Sequence, residues 1–319
     1  MTRWQSIDPL ASNLPAAVVS IGNFDGVHLG HQAILRKLVD EALGRKLDSV
    51  AVTFNPHPSV ILGRSSPPLL TTPELRGDFI EMLGVNHFVI QPFDSGLAKI
   101  CARDFVEFFL VQKLRARCLV VGPNAHVGRG REGTPEKLKQ LAQEFGFDLR
   151  VVPFVQLGGE EVSSTRIRSL ISIGDVNQAI PLLGRPFRTA GSVIRGAGRG
   201  RSLGFPTANL GPVSTVLPKT GVYATVVTVN SRGYVAATNI GHRPTFGADQ
   251  GSIVESHLLS FSGEMEGKPI LIDWIARIRD EKKFSSANDL QRQIRSDLEV
   301  VEKTAKKKKL LSREPKYTL

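Results

Sequence analysis

Ser20-Ile21-Gly22-Asn23-Phe24-Asp25-Gly26-Val27-His28-Leu29-Gly30-His31 is the stretch on which the reading of this chain turns. The apolar, β-branched run Ala17 to Ile21 leads into it and reads as a buried strand. Three glycines and an Asp-Gly turn then carry the backbone through a tight loop. From His31 onward Ile34, Leu35, Leu38, Val39 and Leu43 recur at helical spacing, and Gly44 is expected to stop the helix. Strand, glycine loop and helix N-terminus together make an anion site, because free amides and the positive end of the helix dipole point into it. His28 and His31 add donors at the same place. Nucleotidyl transfer suits such a junction. It requires ATP held in line and charge stabilised on the transition-state oxygens, with little covalent help. A chance His-x-x-His on a helix face and a zinc site are the competing readings. Zinc requires further ligands at closing spacing, and Cys101 and Cys118 lie far apart without a Cys-x-x-Cys pair.

The string Gly22-Asn23-Phe24-Asp25-Gly26-Val27-His28-Leu29-Gly30-His31 closely resembles the HxGH motif of bacterial bifunctional riboflavin kinase/FMN adenylyltransferases, also called FAD synthetases. The short HxGH signature is common to many nucleotidyltransferases; the longer string is far more specific. The resemblance implies ATP contacts at Gly22, Phe24 and Gly30 and catalytic roles for His28 and His31.

Composition sets the frame. A chain of 319 residues has room for two domains, each with its own core. Hydrophobic content of 41% and charged content of 22% are globular values. No apolar run approaches membrane-spanning length and no signal-peptide core follows Met1, so a cytoplasmic protein without membrane partners is expected. Two cysteines make no disulfide framework, and buried free thiols are expected. The net charge of +11 raises a nucleic-acid reading. However, Lys303 and Lys306 to Lys309 cluster at the end of the last helical segment, where cations complement the dipole, and further arginines lie in glycine loops. No RNP-type strand or helix-turn-helix pattern appears, so no nucleic-acid partner is expected. Self-association is left open.

A second apolar strand, Ser49 to Phe54, completes a β-α-β unit and predicts a parallel sheet. Asn55-Pro56-His57-Pro58 follows it directly and sets His57 at the carboxyl edge, where open α/β sheets bind ligands. Further strands are predicted at 86–90, 118–121 and 149–155, with helices at 75–83, 102–114 and 136–145. The phenylalanine-bearing stripe of the 102–114 helix reads as core. The strand at 118–121 ends in a basic glycine loop containing Asn124. In the related family this loop reads Asp or Asn, Phe, any residue, Phe, Gly. Asn124 and Gly128 match, and Ala125 and Val127 replace the two aromatics. Rings at those positions either pack on a flavin or adenine ring or hold the loop. Ser163-Ser164-Thr165-Arg166 opens the next helix with more hydroxyl and guanidinium groups than capping requires, which suits phosphate oxygens. The family's ISSTxIR motif is similar and implies that Ser164, Thr165 and Arg166 bind ATP phosphates.

Beyond Leu183-Gly184-Arg185-Pro186 the period changes. Segments 187–194, 222–229, 234–240, 253–261 and 270–278 are strand-like with glycine turns between them, which predicts a small antiparallel barrel. A closing helix starts at a capping box, Ser286 and Asp289, and carries an expected buried stripe of Leu290, Ile294, Leu298 and Val301. The glycine loop Gly196, Gly198, Gly200 and Arg201 suits ATP phosphates but is no ordinary P-loop. Thr207 and Asn209, two apart on a strand, share one face and offer oxygen ligands for Mg²⁺. The Gly204-Phe205-Pro206-Thr207-Ala208-Asn209 block resembles riboflavin kinase, whose equivalent Thr and Asn hold MgATP. Asn239 to Phe246 and Val254-Glu255-Ser256-His257 are similar to that family's next two blocks, which implies flavin contacts at Asn239 and Arg243 and a base at Glu255. His257 to Phe261 departs slightly, reading HLLSF where HLLDF is usual.

The expectation is an α/β nucleotidyltransferase domain (Rossmann-like, HxGH type) over 1–183, then an antiparallel β-barrel domain with a C-terminal helix over 184–319. The resemblance implies two steps: riboflavin and MgATP give FMN, then FMN and ATP give FAD and pyrophosphate. Two alternatives stand beside it. One is a riboflavin kinase with an impaired adenylyltransferase domain; the other is a non-catalytic flavin- or nucleic-acid-binding protein.

Overall fold

The computed structural model describes residues 1–308 other than 13, 64, 197, 199, 201–202 and 243–251. The chain divides into two compact units, Met1–Ser164 and Thr165–Leu319.

The first unit is built on β1 (Thr2–Trp4), α1 (Ile7–Ala11), β2 (Ala17–Ile21), α2 (Leu29–Arg45), β3 (Asp48–Asn55), α3 (Pro58–Ile61), α4 (Pro73–Glu81) and β4 (His87–Pro92). It continues through α5 (Ala102–Phe105), β5 (Ala116–Val121), α6 (Pro135–Phe145), β6 (Asp148–Val151) and a hairpin, β7 (Gln156–Leu157) and β8 (Glu160–Glu161). Six parallel strands form one sheet in the order β1-β4-β3-β2-β5-β6. The order runs outward from β2 in two directions, through β3 and β4 on one side and β5 and β6 on the other. Such a reversal opens a crevice at the carboxyl ends of the central strands.

The sheet is buried on both faces, as parallel sheets are. Alternate residues of one strand enter different cores: Val19, Val50 and Val52 pack with Leu110, Leu119 and Leu138, whereas Val18 and Ala51 pack with Phe24, Leu35, Leu38 and Phe88. Strand β1 was not expected. It is too short and too charged for periodicity to mark, and Arg3 ties it down through Asp78 (2.5 Å) and Glu81 (2.9 Å). Helix α2 does not stop at Gly44. It ends in a left-handed Lys46 (φ 56°), whose N–H and that of Leu47 both reach the Ala42 carbonyl. The turn is a Schellman motif closed without glycine. The expected 102–114 helix is present, but Val106–Lys113 is π-wound. Cys118 is buried, which pushes its thiol pKa up to about 11; Cys101 is half-buried and caps α5.

The second unit comprises α7 (Ser164–Ile173, whose first residue belongs to the first unit), α8 (Val176–Leu183), β9 (Phe187–Ile194), β10 (Ala208–Leu210), β11 (Gly221–Val229), β12 (Arg232–His242), β13 (Ser252–Leu258), β14 (Pro269–Arg279) and α9 (Ala287–Lys307). Six antiparallel strands close a barrel in the order β10-β13-β12-β11-β14-β9. Trp274 and Tyr223 are fully buried, meeting edge to face at 5.2 Å, and Trp274 Nε1 donates to Thr189 Oγ1. The contact boundary at 164/165 precedes the expected 183/184 because α8 packs on the barrel strands β14 and β9.

Helix α9 starts as expected: Asp289 N–H donates to Ser286 Oγ, which in turn donates to the Asp289 carboxylate. Its stripe needs correcting. Val301 and Ala305 pack on Ala224 and Val235 of the barrel, but Leu290, Ile294 and Leu298 are only half-buried and line a cavity.

Candidate active sites

In the first unit, the loop after β2 is held in an unusual conformation. Phe24 (φ 47°), Gly26 (φ 84°) and Val27 (φ 40°) all take positive φ. For a β-branched residue this is strained, and strain persists only where the surroundings impose it. Phe24 and Val27 are each about 1% exposed, and a Cβ on Gly26 would lie 2.8 Å from Leu70. Asp25, also buried, fixes the turn by accepting the backbone N–H groups of Leu70 and Thr71, each at 3.0 Å. Arg76, 3% exposed, reaches Thr53 (3.0 Å), the Thr71 carbonyl (3.2 Å) and Asp25 (3.5 Å). Thr53 donates in turn to the Asn23 carbonyl. A buried polar network therefore sets the shape of this glycine loop.

That loop delivers the histidines. His28 is the N-cap of α2, and its Nδ1 accepts from the His31 N–H at 3.4 Å. The two rings stack at 3.7 Å, and Phe24 meets His31 edge-on at 5.5 Å. Phe24 thus holds His31 from within the core. Gly30 sits in the first turn because an added Cβ would lie 3.1 Å from the His28 ring. Gly22 donates to the Val52 carbonyl and ties the loop to β3. Asn23 brings in His57, whose Nε2 lies 2.9 Å from the Asn23 amide while its Nδ1 lies 2.6 Å from the Ser59 hydroxyl. Ser164 Oγ donates to the Asp25 carbonyl at 2.8 Å, so it joins the same loop. Thr165 and Arg166 follow it directly in the chain, in the second unit. Asn124 is exposed in the loop after β5. Ala125 and Val127, at the substituted aromatic positions, are half-buried and pack against the core of the unit.

His31 Nδ1 is buried without a hydrogen-bond partner among the described residues. Burial, then the neighbouring His28, then Arg76 hold its pKa well below the usual 6.5, so the ring is neutral at pH 7. The unfolded chain then binds more protons than the native one at and below pH 6.5, and stability falls as pH drops through that range. The expected loss approaches about 1.4 kcal/mol per pH unit for this one group. Urea midpoints at pH 7.5 and 5.5 check it: the wild type loses stability and His31→Leu loses less. An unchanged pH slope in His31→Leu would remove the argument.

In the second unit, the register assembles the site. Asn209 of β10 pairs with Glu255 of β13, and Glu255 pairs with Asn239 of β12. Directly opposed residues have Cβ atoms about 4.5–5.5 Å apart, so the three form one row. Their buried neighbours Ala208, Ser256 and Thr238 lie on the other face. Thr207 and His257 extend the half-buried face, and with Glu255 and Asn239 they line a cavity of about 440 Å³. Phe205, Phe284, Leu290 and Ile294 supply its apolar wall. That size and mixed lining suit a small-molecule ligand. A Cβ on Gly196 would lie 2.1 Å from the Asn209 amide, and one on Gly200 would lie 3.1 Å from Thr207 Oγ1. Two glycines therefore lie against the two expected oxygen donors. Among the described residues, none comes within 4 Å of a Cβ placed on Gly198. Arg201 and Arg243 lie outside the described residues.

The comparisons match both halves. The FAD synthetase family model matches residues 10–166, and the riboflavin kinase family model matches residues 183–305. Proteins named bifunctional riboflavin kinase/FMN adenylyltransferase align over 88% of this chain and 90% of their own length. Identity is 34% for Pseudomonas fluorescens, 35% for Escherichia coli K12 and 36% for Bacillus subtilis. This chain belongs to the bifunctional riboflavin kinase/FMN adenylyltransferase family. A crystal structure from Streptococcus pneumoniae described as a macrolide-efflux protein matches with a TM-score of 0.84 and 30% identity, covering 95% of this chain and 99% of that one. Efflux is the description of that protein alone. Among the described residues, no helix here is long and apolar enough to cross a membrane.

Against the family's motifs, the residues missed in the sequence are supporting ones. Asp25 stands inside the motif, but its partners Thr71 and Arg76 come from a distant helix start. The only local signal was an arginine on the apolar side of α4, beside Leu75 and Phe79. Asp297 and Arg279 were missed too. They form a bidentate pair at 2.9 and 2.7 Å, with Gln293 donating to Asp297 at 2.9 Å. An acid between Ile294 and Leu298 on an otherwise apolar stripe was the available sign.

Proposed function

We propose that the family's two reactions divide between the two constellations, with the boundary between the activities at 183/184. The enzyme is a riboflavin kinase and FMN adenylyltransferase of flavin cofactor biosynthesis, with riboflavin, FMN and ATP as substrates and FAD as final product.

In the barrel, Glu255 takes the proton of the terminal ribityl hydroxyl. That oxygen attacks the γ-phosphorus of ATP, FMN forms and ADP leaves. Asn239 stands beside Glu255 in register and is suited to orient the flavin. The row Asn209–Glu255–Asn239 beside the cavity is the observation that carries this reading. Thr207 and Asn209, against which the Gly200 and Gly196 backbones pack closely, offer oxygens that fit a hard divalent cation and would hold Mg²⁺. When bound there, such a cation supplies neutralisation of phosphoryl charge.

In the parallel-sheet unit, a phosphate oxygen of FMN attacks the α-phosphorus of a second ATP and pyrophosphate leaves. The nucleophile is already anionic, so no strong base is required. His28, His31 and the α2 N-terminus meet the developing charge. An arriving triphosphate favours protonation of His31, so phosphate binding and proton uptake go together. Ser164, Thr165 and Arg166 are assigned to the phosphates by the family's similar motif, His57 and Asn124 to the nucleotide rim. A cytoplasmic location is part of this reading.

Chromatography of riboflavin incubated with ATP and Mg²⁺ tests it. FMN should appear first and FAD second. FMN alone, even at saturating ATP, would establish a kinase with an impaired partner domain; no conversion would leave a binding protein.

A further inference from the structure

Strand β10 begins at Ala208, paired with Ser256. Thr207 therefore lies just beyond the last paired residue. The ladder cannot continue through Pro206, which has no N–H to donate. Backbone pairing fixes Thr207 only through its neighbour Ala208, at the point where a continued register would set it opposite His257. The structure supplies a side-chain tie instead. His257 Nδ1 lies 2.8 Å from the Pro206 carbonyl oxygen. A carbonyl only accepts, so Nδ1 carries the proton. The His257 ring also meets the Phe205 ring edge to face at 5.7 Å. On the near side, the Phe205 N–H donates to the Gly200 carbonyl at 2.8 Å, closing the turn that carries Gly200. His257 thus grips the residues on either side of the Phe205–Pro206 bond, and it stands two residues from Glu255 on the same strand face.

We propose that His257 is a positioning residue for riboflavin phosphorylation. It clamps the Phe205–Pro206 segment so that Thr207 is held at the phosphate end of the Asn209–Glu255 row. This rests on the assignment of Thr207 and Asn209 to MgATP. The imidazole acts through the strap, by one hydrogen bond and one ring contact, and takes no part in proton transfer.

The experiment uses the full chain with His257→Leu, which removes the donor, and His257→Asn, whose amide restores a donor near the Nδ1 position. Two readouts are taken: hydrogen exchange at the Phe205 amide in nucleotide-free protein, and steady-state phosphorylation of riboflavin against MgATP concentration. Loss of one neutral hydrogen bond corresponds to roughly a three- to tenfold effect. In His257→Leu, Phe205 exchange should accelerate and the KM for MgATP should rise by that factor, with kcat little changed. His257→Asn should recover both. Adenylylation of FMN by the same preparations should stay at wild-type rate. Unchanged Phe205 exchange in a folded His257→Leu protein would overturn the clamp. So would a fall in kcat at constant KM, or a folded His257→Asn protein that behaves like His257→Leu. Thr207→Val separates the clamp from the reading beneath it. If that variant phosphorylates riboflavin normally while Phe205 exchange still responds to His257, the MgATP assignment fails and the tie stands.

Discussion

Glu255→Gln loses riboflavin phosphorylation, on the order of 10²- to 10⁴-fold, and still adenylylates supplied FMN at the wild-type rate. Glutamine keeps the size of the side chain and its place between Asn209 and Asn239 in the barrel register. It lacks the carboxylate that accepts the ribityl proton. The barrel should be undisturbed, because Glu255 lies on the half-buried cavity face while Val254 and Ser256 hold the buried one. Separate chromatographic assays of FMN from riboflavin and FAD from FMN check the split. Normal phosphorylation by the variant would remove Glu255 as base. An equal fall in both activities would point to a structural lesion.

His31→Ala should cut FAD formation about a hundredfold or more, the usual effect of removing one preorganised donor from developing charge. FMN formation should not change. His31 Nδ1 has no hydrogen-bond partner within its own unit's described residues, so little native bonding is lost with the ring. His28 requires a different substitution. It caps α2, and an alanine there would also cost about 1 kcal/mol of helix stability. His28→Asn keeps a capping oxygen and removes the imidazole that stacks on His31 at 3.7 Å. The expected result is a near-native melting temperature with FAD formation lowered by a similar factor. Full FAD formation by both variants would dismiss the histidine pair as catalytic groups.

Much of both candidate sites was legible because their motif residues lie in contiguous strings. The segment from Gly22 to His31 contains its own strand exit, turn, cap and donors, so short-range rules suffice to read it. The barrel strands were legible through their alternation: Val254, Ser256 and Leu258 are buried while Glu255 and His257 are not. Elements without such a signature were not. Strand β1 is short and charged, and the α2 terminus closes on Lys46, where nothing local excludes Gly44. Leu290, Ile294 and Leu298 have core spacing, yet the cavity they border leaves them half-exposed.

The sequence by itself determined the kinds of element, the glycine loop before α2 and the candidate oxygen donors Thr207 and Asn209, whereas Glu255 stood out only through the resemblance of its block to the riboflavin kinase family. The elements, the loop and the two donors are set by residue type and spacing within a dozen positions, where backbone sterics and capping operate. Only the tertiary structure decided which of these residues meet. Strand pairing places Asn209, Glu255 and Asn239 in one row across three strands, and a slip of one residue would turn each to the opposite face. Burial joins Asp25 to Thr71 and Arg76, and Arg279 to Asp297, because polar groups removed from water must find partners wherever the fold brings them. The same long-range packing turned Ala125 and Val127 onto the core.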